Sequence, residues 1–286
     1  MKNFKDRVVV ITGAGSGIGR ALAQSFASEG AQLALADNNE ANLAETAKQL
    51  GDTRLVTETL DVANREAVYS FADKVKAEFG GADIVINNAG VTFGNSVEDS
   101  SYEDFEWLMG INFWGVVYGT KAFLPMLKAA DEGVVVNISS VFGIIAFPNQ
   151  AAYNASKFAV RGFTEALRHE MTIEGSKLLA ISVHPGGIKT NIARNARFYK
   201  DHDGVTDHAK VAADFEQIAK TTPEQAAATI IKGIQTRNPR VLIGNDAWLI
   251  DRIQRVMPVN YMKAILGMMN RMRPKDKAQA SRQQKA

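Results

Sequence analysis

The chain has 286 residues, 46% of them hydrophobic and 22% charged, with a formal net charge of +2 and no cysteine. This balance suits a globular protein able to bury a core without staples. It gives no electrostatic case for nucleic acid, and it excludes a disulfide framework, a thiolate metal site and a cysteine nucleophile. No stretch approaches the ~20 apolar residues of a membrane span. The charged, short run Met1–Arg7 is no secretory signal, so a soluble, cytoplasmic protein is expected.

The first predicted strand is the β-branched run Val8–Thr12, which stops at Gly13-Ala14-Gly15-Ser16-Gly17-Ile18-Gly19 and turns into a helical pattern over Gly17–Ser28. A strand–turn–helix of this kind points helix N-terminal N–H groups at a phosphate, and the helix dipole favours the negative charge. Glycines let the backbone turn tightly and approach a pyrophosphate. Gly13, Ser16, Gly17, Ile18 and Gly19 are therefore candidate cofactor contacts. The second strand, Leu33–Ala36, ends at Asp37, 18 residues after Gly19. That is close to the ~20 expected of an acid that binds an adenosine ribose. A carboxylate there repels a 2′-phosphate, and Asn38 and Asn39 follow it instead of a basic residue. The pattern favours NAD, with NADP as the alternative; the plainer reading makes Asp37 an acidic loop residue or an N-cap. After a helix over Glu40–Leu50, the third strand Arg54–Thr59 leads to Asp61 and Val62, where an acid can hold an adenine amino group. Asp61 can equally cap the next helix, Arg65–Phe79. The fourth strand, Ile84–Asn87, opens into Asn88-Ala89-Gly90, a turn at a strand's carboxyl end that can also meet a ligand.

A long helical pattern over Tyr102–Ala129 precedes the strand Val134–Ile138, which ends in Ser139-Ser140. The helix Ala151–Glu174 then carries Tyr153-Asn154-Ala155-Ser156-Lys157. Positions i and i+4 share a helix face, so Tyr153 and Lys157 point the same way. An ammonium beside a phenol lowers its pKa from ~10 towards neutrality, which makes the phenol a usable acid or base on an alcohol or carbonyl. Ser140, thirteen residues earlier, can hydrogen-bond the same substrate oxygen.

The strands Leu179–Val183 and Val241–Ile243 and the helix Pro223–Thr236 complete an alternation that predicts an α/β fold. It is a doubly wound, Rossmann-type parallel sheet of about seven strands with helices on both faces. Residues 1–245 form one dinucleotide-binding and catalytic domain. Lys189–Thr222 is long, polar and mixed, as a functional lid or a disordered loop would be. Residues 246–286 form an extension in which Trp248–Met272 reads as amphipathic helix broken at Pro258, followed by a polar tail.

Taken together, Thr12-Gly13-x-x-x-Gly17-Ile18-Gly19, Asn87-Asn88-Ala89-Gly90, Asn112, Asn137-Ile138-Ser139-Ser140, Tyr153-x-x-x-Lys157 and Pro185-Gly186-x-x-x-Thr190 resemble the short-chain dehydrogenase/reductase family over residues 5 to about 245. The resemblance implies a catalytic tetrad of Asn112, Ser140, Tyr153 and Lys157. Tyr153 would exchange the proton with the substrate oxygen and Ser140 would orient that oxygen. Lys157 would bind nicotinamide ribose hydroxyls, while Asn112 would hold a helix distortion and a water. The same resemblance places Pro185, Gly186, Ile188 and Thr190 around the nicotinamide carboxamide and assigns Lys189–Thr222 to the substrate lid. It also implies a homodimer or homotetramer built on the long helices after Tyr102 and Ala151.

The four histidines, His169, His184, His202 and His208, show no metal spacing. Phe93, Phe142, Ile144, Ile145 and Phe147 lie near the expected site, so a hydrophobic secondary alcohol or ketone is the expected substrate; the alternative makes half of them core or an oligomer contact. The extension mixes apolar residues with Arg252, Arg255, Lys263, Arg271 and Arg273. Such a helix can lie on an anionic membrane, or, as is commoner, dock on its own domain or on a partner subunit. A dinucleotide-sensing or scaffold protein acting through this tail is the non-catalytic alternative.

Overall fold

In this computed structural model the described residues are 1–190, 197–198 and 219–272, with side chains described to 267 apart from 197 and 198. Seven parallel strands form one sheet in the order β3-β2-β1-β4-β6-β7-β9. They are β1 (Val8–Thr12), β2 (Gln32–Asp37), β3 (Leu55–Thr59), β4 (Ile84–Asn87), β6 (Val134–Ile138), β7 (Leu179–Pro185) and β9 (Arg240–Ile243). A separate two-stranded pair joins β5 (Phe93–Gly94) to β8 (Arg197–Phe198) and was not expected.

The period-two geometry of a strand divides β1 between two cores. Val9 and Ile11 pack under α1 (Gly17–Ser28) and α7 (Pro223–Gln235), through Leu22, Phe26, Ile230 and Ile234. Val8 and Val10 face α3 (Arg65–Phe79), α5 (Gly115–Ala129) and α6 (Ala151–Ile173), through Phe71, Phe123 and Leu167. Helices thus cover both faces, and β1 is buried along its whole length. The strand order reverses between β1 and β4, so the crevice outside Thr12 and Asn87 is a topological switch point, where open α/β sheets bind ligands.

The helical pattern over 102–129 is α4 (Tyr102–Met109) and α5 joined by a π-helical turn over Gly110–Trp114, the helix distortion that the family resemblance implies at Asn112. The reason lies outside the helix. The Asn112 amide accepts from Val91 N–H at 2.8 Å and donates to the Val91 carbonyl at 2.9 Å, so the helix is widened to seat a non-local partner. The helix α2 (Glu40–Lys48) is capped by Asn39 and α3 by Asn64, so neither Asp37 nor Asp61 is an N-cap.

Beyond β9 lie α8 (Asn245–Val256) and α9 (Tyr261–Met272), broken around Pro258 as the sequence suggests. Their inner residues Ile250, Ile253, Tyr261 and Ile265 pack with Ile144 and Ile145. The expected lid over 189–222 falls almost entirely outside the described residues. Among the described residues, no helix is long and apolar enough to cross a membrane.

Candidate active site

The glycine turn is a close-packed cradle. Gly13 has φ +65°, and a Cβ there would sit 2.8 Å from the Ala89 Cα; a Cβ on Gly19 would run into the Gly13 carbonyl. The Thr12 hydroxyl accepts from Asn88 and Ala89 N–H, both at 3.1 Å. Asn88 donates its amide to the Thr12 and Gly13 carbonyls at 3.0 and 3.1 Å. Asn88 therefore holds the turn in place. Ser16 begins α1 without capping it through its side chain, and Gly17 lies against the Thr190 methyl, 3.1 Å from where its Cβ would be. Ile18 is partly buried against the first core.

Asp37 stands at the end of β2 with one carboxylate oxygen accepting from Gly15 N–H at 2.8 Å and the other from Asn39 N–H at 2.9 Å. At the end of β3, Asp61 accepts from Ala63 N–H at 2.9 Å, and Val62 is buried against Gly115. Asp61 closes its own turn beside the crevice.

At the end of β6 the two serines separate. Ser139 donates to the Lys157 backbone carbonyl at 2.8 Å and is buried. The Ser140 hydroxyl accepts from Phe142 N–H at 3.1 Å and lies close enough to the Tyr153 phenol to act on its proton. Lys157 sits one helical turn on, with its Nζ 5.6 Å from the Tyr153 ring centre and donating to the Ile138 carbonyl at 3.0 Å. Burial pushes the Tyr153 phenol up to about 12, against a smaller pull downwards from Ser140, and burial brings the Lys157 amine down to about 8. The expectation that Lys157 draws the phenol towards neutrality is not met in this arrangement. The ammonium bonds a carbonyl instead of the phenol, and desolvation dominates. Asn112 completes the group, donating to Ser156 at 3.3 Å and lying 3.2 Å from where a Gly90 Cβ would be, with Lys157 Nζ at 3.5 Å from the same point.

An apolar wall adjoins the phenol. Phe142 meets the Tyr153 ring edge-on at 6.1 Å and stacks on Phe147 at 5.5 Å, while Phe93 is buried beside Leu108, Ala152 and Tyr153. Ile144 and Ile145 belong to the core beneath α8 and α9. On the far side, Pro185 ends β7 and Gly186 donates to the Ile243 carbonyl at 2.9 Å. Ile188 is buried and bridges to Thr221, and Thr190 bonds back to the Ile188 carbonyl at 2.8 Å.

Three supporting residues have no counterpart in the sequence reading. Arg20 donates to the Gly15 carbonyl at 2.5 Å and to the Thr46 hydroxyl at 2.9 Å, bracing the glycine turn. Asp246 accepts from Gly187 N–H at 2.7 Å and fills the space a Cβ on Gly186 would take. His184, considered only as a metal ligand, bonds the Ser140 carbonyl. Its place directly before Pro185-Gly186, and that of Asp246 two residues after Gly244, are the only local signals.

The fold agrees with the comparisons. Residues 7–200 match the family model for short chain dehydrogenases. The chain is 47% identical over 270 residues to a Mycobacterium tuberculosis protein named "Putative oxidoreductase SadH", covering 93% of this chain and 96% of that one. It is similar to the crystal structure of a short-chain dehydrogenase/reductase from Burkholderia phymatum in complex with NAD, with TM-score 0.83 and 30% identity over 89% of this chain and 95% of that one. It is also similar to an alcohol dehydrogenase from the archaeon Thermococcus sibiricus complexed with 5-hydroxy-NADP, with TM-score 0.71 and 25% identity over 84% and 96%. The chain belongs to the short-chain dehydrogenase/reductase family of oxidoreductases.

Proposed function

We propose that the protein is an NAD(H)-dependent oxidoreductase acting on a hydrophobic secondary alcohol or the corresponding ketone. The observation that carries this reading is the Tyr153 phenol, set near Ser140 and beside Phe142 with Lys157 one turn away. The residues at the switch point fit a dinucleotide. The Gly13–Gly19 cradle would lose its shape with a Cβ at Gly13 or Gly19, and Asp37 closes its ribose end. Gly13, Ser16, Gly17, Ile18 and Gly19 would hold the pyrophosphate, Asp37 the adenosine ribose, and Asp61 and Val62 the adenine. Ala89, Gly90, Lys157, Pro185, Gly186, Ile188 and Thr190 would hold the nicotinamide half. Such a cofactor supplies or accepts the hydride.

The side chains do the proton work. Tyr153, whose proton is held firmly by burial, donates it to a ketone oxygen during reduction and takes it back during oxidation. Ser140 orients that oxygen, and its hydroxyl beside the phenol eases the charge that develops there. Lys157 supplies positive charge on the same side, and Asn112 fixes the Gly90–Val91 backbone beside it. Phe142 and Phe147 form an apolar surface that favours an apolar substituent on the substrate.

Asp37 supports NAD over NADP, because a carboxylate repels a 2′-phosphate. One observation favours the second reading: the Arg20 guanidinium lies at Gly15 and Asn42, on the rim of the same turn. Titration with NADH and NADPH decides between them, with tighter NADH binding expected and tighter NADPH binding overturning the role given to Asp37. Turnover across secondary alcohols graded in apolar size tests the substrate class, and a rate that does not rise with apolar size contradicts it. The reading extends to a cytoplasmic homodimer or homotetramer built on α5 and α6, where the exposed Trp114 of the π-helical turn before α5 and Phe158 of α6 suit a contact between copies. Light scattering measures that directly.

A further inference from the structure

We propose that the outer face of α8, continued through the turn to α9, is a docking surface for an anionic lipid bilayer. Trp248, Arg252 and Val256 follow one another at i, i+4 and i+8, so they form a single stripe. Trp248 is 54% exposed, Val256 80% and Val259 85%, and Leu249, Met257 and Leu266 are exposed as well. The Arg252 guanidinium lies over the Trp248 ring at 5.1 Å. An indole braced by an arginine suits the level of lipid headgroups, where one end of the ring is apolar and the other wet.

Charge selects the occupant. The exposed cations of the described part are Arg252, Arg255 and Lys263. Both acids of the segment are turned to other work. Asp246 accepts from Gly187 N–H, and Asp251 is 5% exposed and bonded to Arg240 at 2.6 Å and Arg255 at 2.8 Å. Residues 246–286 carry nine Lys and Arg against three Asp and Glu, a net +6, whereas residues 1–245 carry 24 against 28, a net −4. A cationic extension on an otherwise acidic protein is driven towards an anionic surface, with the acidic body held away from it. The opposite side of the helix pair packs on Ile144 and Ile145, and the Tyr261 hydroxyl accepts from Ala146 N–H at 3.0 Å. The bilayer face is thereby coupled to the loop that carries Phe142 and Phe147. A lipid-soluble alcohol as substrate rests on the proposed function, whereas the docking surface does not.

The test is co-sedimentation of the full-length protein with vesicles of phosphatidylcholine, alone or with phosphatidylglycerol, at low and high salt. Binding to the anionic vesicles alone, lost at high salt, is expected. Binding should fall by at least ~tenfold in R252E/K263E and in W248A/V256D/V259D. Circular dichroism and thermal melts confirm that the variants are folded. Equal sedimentation with both vesicle types, none with either, or binding unchanged in the folded variants would each overturn the proposal. So would a concentration-dependent dimer abolished by the apolar variant in protein that ignores vesicles. No arm requires turnover, so a failed enzyme assignment leaves the result readable.

Discussion

The Nδ1 of His184 lies 3.0 Å from the backbone carbonyl oxygen of Ser140, and its Nε2 lies 3.0 Å from the Ser182 hydroxyl. A carbonyl can only accept, so Nδ1 carries the proton and Nε2 accepts from Ser182. One buried neutral imidazole thus pins the turn that presents Ser140 to the strand that ends at Pro185, joining the two walls of the site.

That arrangement makes stability depend on pH. Burial holds His184 near 4, below its ordinary 6.5, so between those values the unfolded chain binds more protons than the folded one. The contribution is fully present above about 6.5 and is lost as pH falls towards 4, on the order of 3 kcal/mol in all. Urea midpoints measured from pH 4 to 7 should show this slope in the wild type. They should show it removed in His184→Gln, which titrates nowhere in that range.

Lys157 has a second pH signature. Its amine is brought down to about 8, so the positive charge is present below that value and fades above it. NADH binding to the free enzyme should weaken by about fivefold as pH rises from 7 to 9, the difference between a charged and a neutral donor. Lys157→Arg should flatten the profile, because a guanidinium stays charged throughout.

Asn112 joins the π-helical turn to the strip beside the crevice. Asn112→Ala leaves the Val91 N–H and carbonyl without their side-chain partners, and a loss of about 2–3 kcal/mol is expected. Thermal melts with and without NADH should show a lowered midpoint and a smaller stabilisation by NADH than in the wild type, because Gly90 lies on the segment released and Lys157 Nζ sits beside it.

What the sequence discloses is local. The β-branched run Val8–Thr12, the glycines after it and the four-residue step from Tyr153 to Lys157 each announce their geometry through nearest neighbours. The π-helical turn is different. Gly110–Trp114 fits an ordinary helical pattern, and only the bonds from Asn112 to Val91, 21 residues away, widen it. Likewise, His184 and Ser140 are 44 residues apart and meet because β6 and β7 pair. The pKa of Tyr153 went the opposite way from expectation because spacing shows the ammonium but not the burial. Ile144 and Ile145 looked like pocket residues from their closeness to Ser140, yet α8 and α9 cover them.

The central claim is that Tyr153 carries the proton. Tyr153→Phe keeps the ring against Phe142 and removes only the hydroxyl. Initial rates of NADH appearance from NAD⁺ with an apolar secondary alcohol, wild type beside variant, test this most directly. The account predicts a fall in kcat of roughly 10²–10⁴-fold with NADH affinity retained; turnover within a few-fold of wild type would contradict it.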